Sequence, residues 1–189
     1  VLRLNSPPSD AWPWRYEAVQ QFKLEASSLT IALTLTNRDS RAMPAGIGLH
    51  PYFRHHTEAA IGYTAHEIWP TDATFLPLGS ARPLQNNEQA VPPRRLMDGT
   101  MTDYLGGWNG RASVELPSTP PGAVLSIEAD PVFGHLVVHR PDSGAYLCLE
   151  PVTHVANGFN LAVQGVLGTG THALLPGESM AGSLRFEML

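Results

Sequence analysis

The sequence predicts an all-β protein, an antiparallel β-sandwich or barrel, and three observations support this fold class. Short apolar runs recur along the chain, and several alternate apolar and polar residues with the period of two that is typical of half-buried strands. Pro and Gly, 17 of each in 189 residues, separate these runs as turn residues. No segment carries a helical apolar stripe over about eleven residues. Strands separated by turns in this way favour a sandwich or barrel.

The clearest predicted strand is Leu29 to Thr36, in which four aliphatic residues alternate with threonines and an alanine. Seven further strands are predicted, at Tyr16 to Leu24, Ala60 to Trp69, Ala112 to Leu116, Val124 to Ala129, His135 to His139, Ala145 to Leu149 and Ser183 to Met188. The segment Arg82 to Asp98 is polar and interrupted by prolines, so it is predicted to be a long loop. No linker divides the chain, and we expect residues 1–189 to form a single domain.

The amino-acid composition and net charge indicate which kinds of binding partner to expect. The net charge of −5 and the scattered arginines give no reason to expect nucleic acid or an anionic membrane as a partner. No apolar stretch approaches the ~20 residues of a membrane span. The one cysteine, Cys148, lies in an apolar run and is expected to be a buried small residue. The sequence therefore predicts a cytoplasmic protein without a membrane segment.

Two short motifs carry residues able to transfer protons. His50 lies in Gly46-Ile47-Gly48-Leu49-His50-Pro51, and Glu150 follows the apolar run Ala145 to Leu149 and precedes Pro151. Each proline restricts the residue before it to an extended backbone, and Pro151 is expected to end its strand. A partly desolvated carboxylate becomes a stronger base, and a histidine donates protons near neutral pH. Structural hydrogen bonding is the alternative role for either residue.

Five sequence pieces resemble one family. In chain order, they are the motif around His50 with Thr36-Asn37 and Met43-Pro44 before it, Asp103 to Gly110, Glu150-Pro151, Asn157 to Asn160, and Leu175 to Ser179. In this order they resemble the bacterial aldose 1-epimerases, the galactose-mutarotase-like enzymes. The resemblance implies a large β-sandwich of which this chain is the C-terminal two-thirds. Family members carry further strands at the N-terminus, so we expect this chain to lack one wall of the sugar site.

The resemblance also implies roles for individual residues. Glu150 is the expected base at the C1 hydroxyl of an aldose, and His50 is the expected acid at the ring oxygen. We expect the two groups to converge on opposite sides of one hexose-sized cleft. Asp103 is expected to hydrogen-bond sugar hydroxyls, although capping of its own turn is the alternative. From the residues themselves, further sugar contacts are predicted for Tyr52, Trp108 and His154, with core packing the alternative for Tyr52 and Trp108 and support of Glu150 the alternative for His154.

The resemblance implies no metal and no organic cofactor for this reaction. His55 and His56, with Glu150 and His154, would be the candidate metal ligands, but their spacing fits no standard ligand pair. A hexose-6-phosphate mutarotase, a non-catalytic carbohydrate-binding β-sandwich and a cupin-type metalloenzyme stay open as alternatives. The expected partner is a small-molecule sugar. Homo-oligomers through exposed strand edges are possible, because unpaired edges can join two copies.

Overall fold

The structure, a computed structural model, describes residues 1–54, 59–96, 98–116 and 122–189. Its strands are β1 Leu2–Ser6, β2 Tyr16–Leu24, β3 Ser28–Asn37, β4 Met43–Ala45, β5 Tyr52–Arg54, β6 Ala60–Tyr63, β7 Glu67–Trp69, β8 Arg82–Pro83, β9 Ala90–Arg95, β10 Met101–Gly106, β11 Arg111–Leu116, β12 Ala123–Ala129, β13 His135–Arg140, β14 Tyr146–Val152, β15 His172–Leu174 and β16 Ser179–Met188. One short helix, α1, spans Gly158–Val163, and a 3₁₀ turn spans Asn86–Glu88.

The strands form two large antiparallel sheets and one small two-stranded sheet. The larger sheet has the order β1-β2-β3-β16-β12-β11-β6-β9, and the smaller has the order β5-β14-β13-β10-β7-β8. Strands β15 and β4 pair separately. The predicted all-β sandwich is confirmed in the described part of the chain.

The main core lies between the two large sheets. Ile31 and Leu184 face each other on β3 and β16 of the larger sheet, and both are buried. The smaller sheet contributes Leu136 from β13 and Leu149 from β14 to the same cluster. Because side chains alternate between the faces of a strand, the neighbours of these buried residues project from the outer face of the smaller sheet. That outer face carries the candidate site.

Two sequence predictions for the middle of the chain are wrong. Ala60 to Trp69 is not one strand, because the chain leaves β6 in the larger sheet and crosses to β7 in the smaller one. Arg82 to Asp98 is not a loop, since it contains β8, the 3₁₀ turn and β9. Strand β9 includes Pro92 and Pro93, which its position at the edge of the larger sheet allows, because an edge strand leaves donor positions unused.

The strand before Glu150 is longer than predicted. Pro151 does not end β14, which continues to Val152. The proline lacks an N–H, but its carbonyl oxygen accepts a hydrogen bond from the Leu49 N–H at 3.1 Å. The helix α1 has only six residues, too few for an apolar stripe to be visible in the sequence. No helix in the described ranges is long and apolar enough to cross a membrane.

Candidate active site

The pairing of two chain segments brings His50 and Glu150 together. Strand β5 pairs with β14 so that Tyr52 faces Cys148. Four residues earlier, Gly48 forms an antiparallel bridge with Val152. Between these two points the same register places His50 opposite Glu150. Residues directly opposite in an antiparallel pair have Cβ atoms only ~5 Å apart, so their side chains meet.

Backbone hydrogen bonds fix this register beyond the end of β5. The Thr153 N–H donates to the Ile47 carbonyl at 2.9 Å, and the Ile47 N–H donates to Thr153 Oγ1 at 3.0 Å. Gly48 lies so close to Val152 that a Cβ on it would approach Val152 Cγ1 to 2.6 Å. The glycine therefore permits the close approach of residues 46–50 to β14.

His50 and Glu150 interact directly. His50 Nε2 lies 3.1 Å from Glu150 Oε1, with 51% of the His50 side chain exposed and only 12% of the Glu150 side chain. Burial raises the pKa of Glu150 above its ordinary value, and the positive charge of protonated His50 partly opposes this. Tyr52 stacks on the His50 ring with centroids 4.6 Å apart and planes inclined by 18°. The pair thus combines a largely desolvated carboxylate with an accessible, sterically supported imidazole.

A cleft of about 560 Å³ opens over this pair on the outer face of the smaller sheet. Such a volume lies within the ~300–1,000 Å³ range of small-molecule sites. Its polar lining comes from His50, Thr74, Thr102, Tyr104, His139, Glu150 and His154, and its apolar lining includes Ile47, Phe75, Val137 and Val152. This mixture suits a ligand with hydroxyls at its edge and C–H groups on its faces.

His154 lines the cleft beside Gly46. Its Nδ1 lies 2.8 Å from the Val155 carbonyl oxygen, to which an Nδ1–H would donate, and its ring stacks at a tilt on Phe159 of α1 with centroids 4.8 Å apart. A Cβ at Gly46 would overlap the His154 ring. The structure therefore brings three of the six predicted residues, His50, Glu150 and His154, to one cleft.

The other three predicted residues lie elsewhere. Asp103 faces the inner side of the smaller sheet, next to buried Val138, because its neighbours Thr102 and Tyr104 take the outer face of β10. Burial raises the pKa of the Asp103 carboxyl, and the nearby Arg94 guanidinium opposes that rise. Its placement gives no support to the expected contact with sugar hydroxyls.

Trp108 and Tyr52 also lie outside the cleft lining. Trp108 is 5% exposed in the main core, where its Nε1–H donates to the Arg111 carbonyl at 2.9 Å. This placement matches the core-packing alternative for Trp108. Tyr52 is exposed at the rim and contacts the His50 ring rather than the cleft floor. Its position suits support of the imidazole.

Sequence reasoning missed several side chains that line the cleft, among them Thr102, His139 and Phe75. Thr102 Oγ1 and His139 Nδ1 lie 2.9 Å apart on adjacent strands. Phe75 comes from the turn after β7 and has a left-handed backbone, with φ of 61°. Period-two alternation around Asp103 could have placed Thr102 on the opposite face from it. Nothing in the sequence indicates Phe75, because its position depends on the fold of a turn.

One group of side chains offers donor atoms to a metal. Ligand atoms of His50, Cys148 and Glu150 all lie within 4.8 Å of one another. A metal binds cysteine as the thiolate. Burial and the Glu150 charge, however, raise the pKa of Cys148 to about 12. This donor set is therefore poorly suited to a metal, and His55 and His56 lie outside the described residues.

The fold agrees with comparisons to known proteins. The family model described as Aldose 1-epimerase matches residues 1–187, and the chain belongs to that family. The uncharacterized protein YphB of Escherichia coli K12 is 30% identical over 191 residues, which cover 93% of this chain and 62% of YphB. The chain thus spans less than two-thirds of this relative.

Solved structures share the fold. A candidate aldose 1-epimerase from Escherichia coli K12 superimposes with a TM-score of 0.84 at 24% identity, covering 99% of this chain and 64% of that one. A galactose mutarotase-like protein from Clostridium acetobutylicum gives 0.82 at 18% identity, with 99% and 61% covered. The galactose-mutarotase-like sandwich expected from the sequence is confirmed.

Proposed function

We propose that this chain interconverts the α and β anomers of a hexose, with Glu150 as the base and His50 as the acid. One observation carries the proposal. An imidazole and a largely buried carboxylate lie 3.1 Å apart in a cleft large enough for a sugar. Membership of the aldose 1-epimerase family supports the same reaction.

The proposed reaction begins with ring opening. Glu150 removes the proton of the C1 hydroxyl while protonated His50 donates a proton to the ring oxygen, and the bond between C1 and that oxygen breaks. The product is the open-chain aldehyde. Rotation about the C1–C2 bond then presents the other face of the carbonyl carbon. Ring closure reverses both proton transfers, so Glu150 and His50 return to their starting protonation states.

Direct contact between the two groups suits this chemistry, although we expected them on opposite sides of the cleft. Both reacting oxygens are bonded to the same carbon of the sugar, so an acid and a base must act at neighbouring positions. His50 Nε2 and Glu150 Oε1 lie 3.1 Å apart, so both can reach the two oxygens on C1 of a sugar that binds beside them in the cleft. Each proton transfer can contribute about 10²–10⁴ to the rate.

A free hexose fits the cleft better than a hexose phosphate. Among the described residues that line the cleft, none is Lys or Arg. A phosphate is usually recognised by arginine forks, lysines or a helix N-terminus. Val137 and Val152 instead offer apolar surface to the C–H groups of an uncharged sugar.

Two substitutions test the proposal against a non-catalytic carbohydrate-binding role. In Glu150→Gln and His50→Asn, we expect kcat for mutarotation to fall by about 10²–10⁴ while sugar affinity changes little. Glu128→Gln, at an exposed position on β12, is the matched control and should behave as wild type. Polarimetry measures the rate, and calorimetry measures sugar binding. Sugar binding without turnover in the wild type would instead favour the binding module.

A further inference from the structure

We propose that His139, oriented by Thr102, binds a ring hydroxyl of the sugar and helps to determine which hexose is accepted. This inference rests on the proposed function, because it concerns the substrate of the same cleft. It assigns to His139, positioned by Thr102, the hydroxyl contact that the sequence resemblance had assigned to Asp103.

The sheet register places His139 within reach of a sugar at Glu150. On the outer face, Glu150, Val137 and Tyr104 form one cross-strand row. Two residues along the strands, Cys148, His139 and Thr102 form the next row. Rows on one face are about 7 Å apart, since the rise is ~3.3 Å per residue. A hexose ring with its C1 at Glu150 can bridge that distance, so its distal hydroxyls would reach His139.

The hydrogen bond to Thr102 leaves the other side of the imidazole available. Thr102 Oγ1 lies 2.9 Å from His139 Nδ1. Within the described ranges, no residue forms a hydrogen bond with His139 Nε2, and both side chains line the cleft. The Thr102 hydroxyl can donate to Nδ1 or accept from an Nδ1–H. In the neutral imidazole, the first arrangement makes Nε2 the donor and the second makes Nε2 the acceptor. Thr102 is thus a positioning residue, and Nε2 is the atom that meets the hydroxyl.

A fixed polar atom distinguishes sugars that differ at a single carbon. A hydroxyl with the right configuration completes the hydrogen bond, whereas its epimer leaves Nε2 without a partner in the occupied cleft. One neutral hydrogen bond corresponds to about a 2- to 12-fold change in affinity. We therefore expect His139 to contribute discrimination of this size between epimeric hexoses.

The test compares His139→Phe with His139→Gln, and Thr102→Val with Thr102→Ser. KM and kcat are measured by polarimetry for glucose, galactose and mannose, and calorimetry gives the affinity for their methyl glycosides, which cannot open. In His139→Phe we expect KM for the preferred sugar to rise about 2- to 12-fold with kcat nearly unchanged. The preference between epimers should shrink by the same factor. Thr102→Ser should retain the wild-type values.

A spectroscopic signature separates positioning from a structural role. Long-range ¹H–¹⁵N NMR reports the tautomer of each imidazole. The His139 signals should shift in Thr102→Val and not in Thr102→Ser, with melting temperatures checked for both. A Thr102→Val protein with wild-type His139 signals and unchanged KM would contradict the positioning role.

The outcomes also separate this inference from the proposed function. Wild-type mutarotation together with an unchanged epimer preference in His139→Phe overturns the inference alone. Glycoside binding that depends on His139 without any mutarotation overturns the proposed reaction and supports the hydroxyl contact. A wild-type chain that neither binds nor converts these sugars contradicts both.

Discussion

Glu150 is largely buried and His50 is exposed, and this difference determines the chemistry that we propose for the pair. The Glu150 side chain is mostly enclosed by β14 and its neighbours, while half of the His50 side chain is exposed. Desolvation disfavours the charged carboxylate and raises its pKa, which makes it a stronger base towards a sugar hydroxyl. The exposed imidazole can exchange protons with solvent between turnovers.

The raised pKa of Glu150 predicts the acid limb of the pH profile. Only ionised Glu150 can accept a proton, so kcat/KM should fall as pH decreases through that raised pKa. The midpoint should therefore lie above 4.5, the ordinary value for a glutamate. Rates measured between about pH 4 and pH 8 test this. An acid limb centred at or below the ordinary value would contradict the assignment of the base.

Replacing His50 should shift the acid limb of the pH profile of kcat/KM. Protonated His50 lowers the pKa of Glu150, so its removal in His50→Asn should shift the midpoint of the residual activity to higher pH. Tyr52→Phe retains the stacked ring beside His50 and serves as the control. An unshifted midpoint in His50→Asn would show that the two groups are not coupled.

Asp103 and Thr102 test which face of β10 contacts the sugar, because adjacent residues of a strand point to opposite faces. Asp103→Asn should leave kcat and KM within about twofold of wild type, since its side chain faces the interior between the sheets. Thr102→Val on the cleft face should raise KM. Steady-state kinetics of the two variants show which of the two residues contacts the sugar. A large rise in KM for Asp103→Asn would place that residue in the sugar site.

The sequence predicted the pair but not its surroundings. His50 and Glu150 stood out because each is a proton-transferring group beside a proline. His139 and Thr102 have no such signal, since their proximity depends on the register between β10 and β13. The role of Asp103 stays a prediction, and its neighbour Thr102 faces the cleft because adjacent residues of a strand point to opposite faces of the sheet.

The segment 46–50 is the structural element that holds His50 against Glu150. A Cβ at Gly48 would meet Val152 Cγ1 at 2.6 Å and the Pro151 carbonyl oxygen at 3.1 Å. Gly48→Ala should therefore push this segment away from β14, lower kcat by at least tenfold, and cost about 1–3 kcal/mol of stability through overpacking. Kinetics and thermal unfolding measure the two effects.

Gly134 offers the matched control for this substitution. A Cβ there would have no heavy atom within 4 Å, and its backbone is outside the left-handed region. Gly134→Ala should therefore retain activity and stability. Full activity in Gly48→Ala would show that the close approach of segment 46–50 is not needed for catalysis.

The turn that carries Phe75 is a second element at the cleft. Asp72 Oδ1 accepts hydrogen bonds from the Thr74 N–H at 2.8 Å and the Leu76 N–H at 3.0 Å, which fixes the turn. Phe75 adopts φ of 61°, a conformation that is strained for a bulky residue. We infer that its ring is kept there because it covers a sugar in the cleft.

Phe75→Gly should separate stability from function. Glycine relieves the strain of the left-handed backbone, so the melting temperature should stay constant or rise, whereas most losses of a large side chain lower it. KM for the sugar should increase because apolar contact is lost. Phe75→Tyr is the control that keeps the ring. A lower melting temperature with unchanged KM would assign Phe75 to packing alone.

Elements with a strong local pattern were predictable, and those set by tertiary contacts were not. Tyr16 to Leu24 matches β2 at both ends. The predicted strand Ala60 to Trp69 fails because the crossing between sheets occurs at residues 64–66, where the sequence has no proline or glycine to mark a break. Strands β8 and β9 were missed because prolines at a sheet edge look like a loop in sequence.

At the scale of the whole molecule, the larger sheet carries an uncovered apolar end. Leu2 of β1 is 61% exposed, and Phe22 and Leu24 of β2 are 47% and 81% exposed. Phe22 faces Ile31 across the pair, so this surface continues the inner face that elsewhere packs in the core. Exposed apolar surface of this kind favours association.

We propose that this surface, together with the free edge of β1, joins two copies of the chain. Light scattering should give an average mass that rises with protein concentration. Leu24→Glu should reduce that rise, because it places a charge on the uncovered face. Val163→Glu alters an exposed residue of α1 far along the chain and should have no effect. A constant monomer mass at all concentrations would contradict the proposal.

The family and the fold class were both predictable from the whole sequence, because five motifs in the family's order and recurrent two-residue alternation identify them. The order of strands in the sheets was not, since it joins β3 to β16 and β5 to β14 across long stretches of chain. The chain covers 62% of YphB and 64% of the similar Escherichia coli structure, so the activity of these 189 residues is itself a prediction.

Exchange NMR between the two anomers of ¹³C1-labelled hexose tests the central claim most directly. With the wild-type chain, we predict magnetisation transfer between the α and β signals that grows with protein concentration. The double substitution Glu150→Gln and His50→Asn should reduce that transfer to the rate in buffer alone. Equal exchange rates for the wild-type and doubly substituted chains would contradict the assignment of these two residues as base and acid.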